Sequence, residues 1–188
     1  MTDAWEGLKP PYRTICADPP WPWPQTGQGR NRRGVNPGRH RDGQLDAPLT
    51  YSDMRLSDIE ALPIRELVDD TQGCRLFLWV TNHHLRHGWD IIEGWGFEPQ
   101  ERVLVWCKPP RSTVPVTTEF ILIGRRGHVP RMPWHHTTWC QWPLQARGHA
   151  VKPPAAYDLI ESWCPGPYLD LFGRQGRFGW DTWGKGVE

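Results

Sequence analysis

The sequence predicts an α/β fold: a mostly parallel sheet with helices packed on both faces. Two observations carry this. Short, wholly apolar runs such as RLFLWV at 75–80 and EFILIG at 119–124 read as strands buried on both sides. They alternate with helical stretches bounded by capping residues, prolines and glycines, the order expected of crossover units. A third observation says where a ligand belongs. Two strand ends carry unusual residues, Asp18-Pro19-Pro20-Trp21 at the first and Asp170-Leu171-Phe172-Gly173 near the last. In such sheets ligands bind beyond the carboxyl ends of the strands, at a topological switch point.

The elements follow in order. Residues 12–17 (YRTICA) are short, apolar and β-branched, and stop at Asp18 because Pro19 and Pro20 cannot donate to a ladder. Residues 22–50 are rich in Gly, Pro, Arg and Gln and lack periodicity, so they read as a long functional loop. Leu56-Ser57-x-x-Glu60 fits a capping box with an apolar staple, opening a short helix. Pro63 ends it and starts another over 64–69. After the strand at 75–80, Thr81 or Asn82 caps a helix reaching Glu93, which Gly94 and Gly96 end. Strands follow at 103–106 and 119–124. A second loop, 125 to about 149, carries Arg131, Trp134, His135, His136, Trp139 and Trp142. Pro153 opens a helix through Ser162, Pro165-Gly166-Pro167 breaks it, and strands at 168–172 and 178–183 complete the chain.

Composition narrows the class. The 188 residues are predicted to form a single domain, 1–188, with long loops at about 22–50 and 125–149. No apolar run approaches the roughly 20 residues of a membrane span, and the first eleven residues lack a signal-peptide core, so a cytoplasmic protein is expected. Five cysteines, never in C-x-x-C, predict neither disulfides nor structural zinc. His83, His84 and His87 fall at helical spacing, yet no H-E-x-x-H pattern accompanies them and no metal is expected. The net charge of +1 is uninformative, but Arg30, Arg32, Arg33, Arg39 and Arg41 crowd the first loop and could contact phosphates. Thirteen tryptophans are many for this length; Trp79, Trp95, Trp106 and Trp163, within apolar runs, read as core.

Within four residues, Asp18-Pro19-Pro20-Trp21 offers a carboxylate, a carbonyl held by a rigid Pro-Pro unit, and an indole. An aromatic amine such as that of adenine is a poor nucleophile because its lone pair is delocalised into the ring. Two acceptors gripping its hydrogens turn that lone pair toward an electrophile, while an exposed aromatic face holds the ring flat. Positioning and electrostatics then do most of the catalysis.

The chain resembles the DPPW-type N6-adenine methyltransferases, the family of the mRNA adenosine methyltransferase catalytic subunit and its bacterial and phage relatives. ADPPW at 17–21, SDIEALPI at 57–64, LFLWVTN at 76–82, WGF at 95–97 and VWCKP at 105–109 lie in the family's order. So do EFILIGRRG at 119–127, H-x-x-KP at 149–153, YDLIE at 157–161 and PGPYLDLFGRQGRFGWDTWG at 165–184. The resemblance implies a permuted Rossmann-like methyltransferase, its catalytic motif preceding the cofactor-binding strand, with S-adenosylmethionine as donor and adenine in DNA or RNA as acceptor. Asp18 and Pro19 would bind the target amine, and Pro20 and Trp21 would shape the pocket. Asp170 would hold the donor ribose, with Phe172 and Arg174 lining the site and Lys152 meeting the donor's methionine carboxylate. Lys185, where the family carries Asn, completes the donor residues. Arg30, Arg32, Arg33, Tyr51 and Glu119 are the substrate-binding candidates. Specificity would come from the two loops or from a partner subunit, and a homodimer is the other assembly left open. Two alternatives stay open: methylation of a free adenine nucleoside or nucleotide, and an inactive nucleic-acid-binding subunit.

Overall fold

The computed structural model describes residues 5–22, 54–108, 117–133, 137–143 and 151–184. Seven strands join one sheet: β1 Thr14–Ala17, β2 Cys74–Thr81, β3 Glu98–Cys107, β4 Thr118–Arg126, β5 Trp139–Cys140, β6 Tyr168–Leu171 and β7 Trp180–Trp183. Their spatial order is β5-β3-β4-β2-β1-β6-β7. Four of the six interfaces are parallel; β4 alone runs against its neighbours β2 and β3. The chain moves from β1 to β2 on one side and returns with β6 on the other, so the switch point lies between β1 and β6.

Strand alternation divides the core into two layers. Ile15, Ala17, Leu76, Leu78, Val80, Leu122, Leu169 and Leu171 point to one face, where they meet Ile59 of helix α1 (Leu56–Glu60) and Ile91 and Ile92 of helix α2 (Leu85–Gly94). Cys16, Phe77, Trp79, Leu104, Trp106, Ile121 and Ile123 point to the other, under Ala156, Ile160 and Trp163 of helix α3 (Pro154–Trp163). Helices therefore cover both faces, as predicted. Each fully buried aliphatic side chain contributes about 1.5–3 kcal/mol. The four tryptophans read as core are all buried.

Several local expectations are corrected. No capping box forms: Ser57 lies inside α1, whose N-cap is Arg55, and its hydroxyl reaches the adjacent Asp58 at 3.3 Å. The segment after Pro63 is a 3₁₀ turn over Ile64–Leu67 rather than a longer helix. Thr81 stands at the N-cap position of the turn ahead of α2, but its side chain makes no capping bond, and Asn82 caps nothing. A 3₁₀ turn, Asn82–His84, precedes α2; Thr81 Oγ1 bonds His84 Nδ1 at 3.0 Å, and Asn82 Nδ2 donates to the Thr118 carbonyl across the sheet edge. Gly94 closes α2 in ordinary helical geometry; the left-handed residue after the helix is Gly96, at φ +83°. β3 begins five residues before the predicted strand because an irregularity between Pro99 and Val103 breaks its pattern. The second loop contains an unforeseen short strand, β5, parallel to β3.

Candidate active site

The carboxyl ends of β1 and β6 lie side by side, with Cys16 opposite Asp170 and Ala17 opposite Leu171, and the Asp18 amide donates to the Leu171 carbonyl at 3.1 Å. The two unusual strand ends are thereby brought together. A cleft of about 160 Å³ opens there, lined by Asp18, Lys152, Tyr157, Asp170, Phe172 and Arg174 among others.

The antiparallel direction of β4 adds the next residue. Because β4 runs back along β2, its second residue, Glu119, lies opposite Thr81 at the carboxyl end of β2. Were β4 parallel, Glu119 would sit at the far edge. Lys152, on the approach to α3, bonds Asp18 Oδ1 at 3.0 Å and Glu119 Oε2 at 2.9 Å. Lys108, just after β3, holds the other Glu119 oxygen. Two lysines and two carboxylates thus form one mostly buried, charge-balanced chain. Indoles underlie both ammonium groups: Lys152 Nζ is 4.8 Å from the Trp79 ring centre and Lys108 Nζ is 4.7 Å from that of Trp106.

The ionisations follow from this arrangement. Burial raises Asp18 above the ordinary carboxylate range, against the pull of Lys152. Burial acts on Lys152 in the opposite sense, but Asp18 and Glu119 overcome it and its pKa is raised. Burial would raise Glu119 too, yet the two lysines hold it below its usual value. Asp170 is pushed up to about 7, first by burial and then by the charge of Asp18, while a hydrogen bond from Tyr157 opposes the rise.

The Asp-Pro-Pro-Trp corner is built differently from its sequence reading. Trp21 is not exposed: its relative accessibility is 9%. Its Nε1 donates to the Trp79 carbonyl at 3.0 Å and its ring stacks on His84, centroids 5.1 Å apart. The indole therefore braces the corner from inside. The Pro19 carbonyl accepts the Trp21 amide at 2.8 Å, closing a tight turn, and keeps a second lone pair.

Behind Asp170, Phe172 adopts left-handed backbone at φ +65°, uncommon for a residue with a side chain. Its amide donates to the Trp183 carbonyl at 2.5 Å and its ring meets the edge of Trp183, which in turn packs against Trp5. A Cβ on Gly173 would fall 2.4 Å from Thr182 Cγ2 and 2.6 Å from Asp170 Oδ2, so only glycine leaves this carboxylate uncovered.

Of the sequence-predicted residues, Asp18, Lys152, Asp170, Phe172 and Arg174 share the cleft, and Glu119 reaches it through Lys152. Pro19, Pro20 and Trp21 shape the adjoining corner. Arg30, Arg32, Arg33, Tyr51 and Lys185 lie outside the described residues, as do His135 and His136. His84, Lys108 and Tyr157 were not assigned roles from sequence, although Lys108 and Tyr157 fall inside the VWCKP and YDLIE motifs. His84 is buried, while His83 and His87 are exposed; no metal-binding group is found among the described residues.

The MT-A70 family model matches residues 12–186. The chain belongs to the MT-A70 family. Like its relatives, this MT-A70 chain is a methyltransferase. It is 30% identical over 181 residues to the Type II methyltransferase M.MunI of Mycoplasma sp, covering 92% of this chain and 76% of that protein. To the N(6)-adenosine-methyltransferase MT-A70-like protein of Drosophila melanogaster it is 25% identical, and to the N(6)-adenosine-methyltransferase catalytic subunit METTL3 of Homo sapiens 24%. Both matches cover 87% of this chain, but it spans only 24% and 26% of those two proteins. No helix among the described residues is long and apolar enough to cross a membrane.

Proposed function

We propose that the cleft of this N6-adenine methyltransferase binds S-adenosylmethionine, and that Asp18 and Pro19 grip the exocyclic amine of an adenine in DNA or RNA. The single observation carrying this is the meeting of Asp18 and Asp170 in one cleft at the β1/β6 switch point.

The residues fit such a donor. Asp170 is a buried carboxylate kept open by Gly173, suited to a pair of vicinal hydroxyls. Lys152, Arg174 and Arg177 line the same cleft with N–H donors of the kind a carboxylate group takes, Lys152 and Arg177 being already paired with carboxylates of the protein. When bound, the donor supplies an electrophilic methyl group on a sulfonium. The protein's own work is done at the amine. Lys152 holds Asp18 Oδ1, fixing the carboxylate so that its remaining acceptor capacity meets one amine hydrogen; the second lone pair of the Pro19 carbonyl meets the other. Burial makes Asp18 a stronger proton acceptor than an exposed carboxylate, fitting it to take the proton released after transfer. Trp21, stacked on His84, keeps the corner rigid.

A duplex substrate would have to present its adenine flipped from the stack, whereas a single strand avoids much of that cost. Phosphate contacts are assigned to the arginines of the first loop, Arg30, Arg32 and Arg33. Incubation of DNA, RNA and adenosine separately with labelled donor, followed by mass spectrometry of nucleosides, tests the assignment. Label on N6 of polymeric adenine is expected, and label on adenosine alone would replace this reading with the free-nucleoside one. Asp18→Ala should lower turnover by about 10²–10⁴-fold while donor affinity stays within a few-fold. Undiminished turnover in that variant excludes the mechanism.

A further inference from the structure

Tyr157 lies on α3 and lines the cleft beside Asp170. Its hydroxyl donates to Asp170 Oδ2 at 2.9 Å. The ring is braced on two sides, edge-on to Trp180 at 5.2 Å and against the Arg177 guanidinium at 5.5 Å. Arg177 is itself anchored on α3, by Asp158 at 2.6 Å and Glu161 at 2.8 Å, and Glu161 also accepts Trp180 Nε1 at 2.6 Å. The phenol is therefore aimed at Asp170 by four side chains, Trp180, Arg177, Asp158 and Glu161, of which Arg177 also borders the cleft.

Building on the reading of this cleft as the donor site, we propose that Tyr157 is a positioning residue for the donor ribose: its hydroxyl fixes the rotation of the Asp170 carboxylate and keeps it an acceptor for the ribose diol. A neutral carboxylic acid carries a proton on one oxygen and cannot accept from two hydroxyls as a carboxylate does. A hydroxyl donating to Oδ2 favours the ionised form. The groups facing Asp170 are Cys16 and Asp18 from β1, Lys152 ahead of α3, Tyr157 on α3, Arg174 in the loop that follows β6, and the uncharged Thr182 opposite it on β7. Burial and Asp18 raise Asp170 to about 7; Tyr157 and Lys152 hold it from rising further. Tyr157 is itself pushed well above its usual range, chiefly by burial, so it remains a donor at every working pH. Cys16 is likewise raised by burial and stays a neutral thiol.

The test is calorimetry of S-adenosylhomocysteine binding to the full chain and to Tyr157→Phe between pH 5.5 and 9, with melting temperatures recorded alongside. In the parent, affinity should rise with pH as Asp170 ionises near 7. In Tyr157→Phe, affinity at pH 7 should fall roughly tenfold and the inflection should move to higher pH. The 2′,3′-dideoxy analogue provides the second measurement. It lacks the diol, so the parent should bind it weakly and without this inflection, and Tyr157→Phe should bind it no worse than the parent does. Equal loss at all pH values, or an equal loss for the analogue, would show a purely structural tyrosine and overturn the inference. Tyr157→Met, which also removes the donor, gives the same comparison should the Phe variant fold poorly. A parent that binds no donor product at all would instead sink the reading of the cleft, an outcome visible without any substitution.

Discussion

At the scale of single residues, the site is governed by buried charge. Asp18, Glu119, Lys108 and Lys152 neutralise one another, whereas Asp170 faces its burial with one phenolic hydrogen bond and, among the described residues, no ion pair. The consequence for stability has a definite sign. The carboxyl of Asp170 moves from an ordinary 3.8 to about 7 on folding, so between those values the folded state holds a proton that the unfolded chain has released. Stability therefore falls as pH rises through that window, and the penalty is complete above about 7. Asp170→Asn should raise the melting temperature at pH 8 more than at pH 5 while abolishing donor binding; a melting temperature equally changed at both pH values would contradict this. Asp18 and Asp170 were legible as a pair because each stands at an unusual strand end, whereas Lys152, Phe172 and Arg174 came from the family resemblance. The bracing of Trp21 by His84 was not legible, because nothing local distinguishes an indole turned inward from one presented to a ligand.

At the scale of elements, close packing decides cases that propensity gets wrong. Gly88, in the middle of α2, would gain about 1 kcal/mol of helix propensity on change to alanine. Yet a Cβ there falls 2.6 Å from Leu122 Cδ1 and 2.9 Å from Val80 Cγ2, both side chains fully buried in the sheet. Overpacking of this kind costs about 1–3 kcal/mol, so Gly88→Ala should lower the melting temperature. Gly94→Ala at the end of the same helix should raise it slightly, since its Cβ meets only the exposed, yielding Glu60 side chain at 3.2 Å. Thermal denaturation of the pair checks both signs. The strands were legible from their apolar runs, and so was the start of α3 at Pro153, but the starts of α1 and α2 were not. Ser57, Thr81 and Asn82 all have capping chemistry, and each is claimed elsewhere: Ser57 by Asp58, Thr81 by His84, Asn82 by Thr118. β5 escaped detection because two residues make no period.

At the scale of the whole molecule, the sequence predicted a mostly parallel sheet with helices on both faces, and missed only what depends on distant pairing. The reversal of β4 is such a feature; its apolar run reads identically in either direction, yet the reversal is what carries Glu119 to the carboxyl end of β2, beside the cleft. The central position of β1, β2 and β4 predicts a graded resistance to opening. Amide exchange should be slowest in these strands and in β6, and fastest by orders of magnitude in the two-residue edge strand β5. Uniform protection across all seven would contradict the order of the sheet.

Phe172 gives this arrangement a mechanical consequence. Its backbone sits in a conformation that costs of order 1–3 kcal/mol for a residue with a side chain, and it is kept there by Trp183, which Trp5 clamps from behind. The wall of the cleft is thus a sprung part whose latch is an indole at the opposite end of the chain. Slackening that latch would let the wall relax.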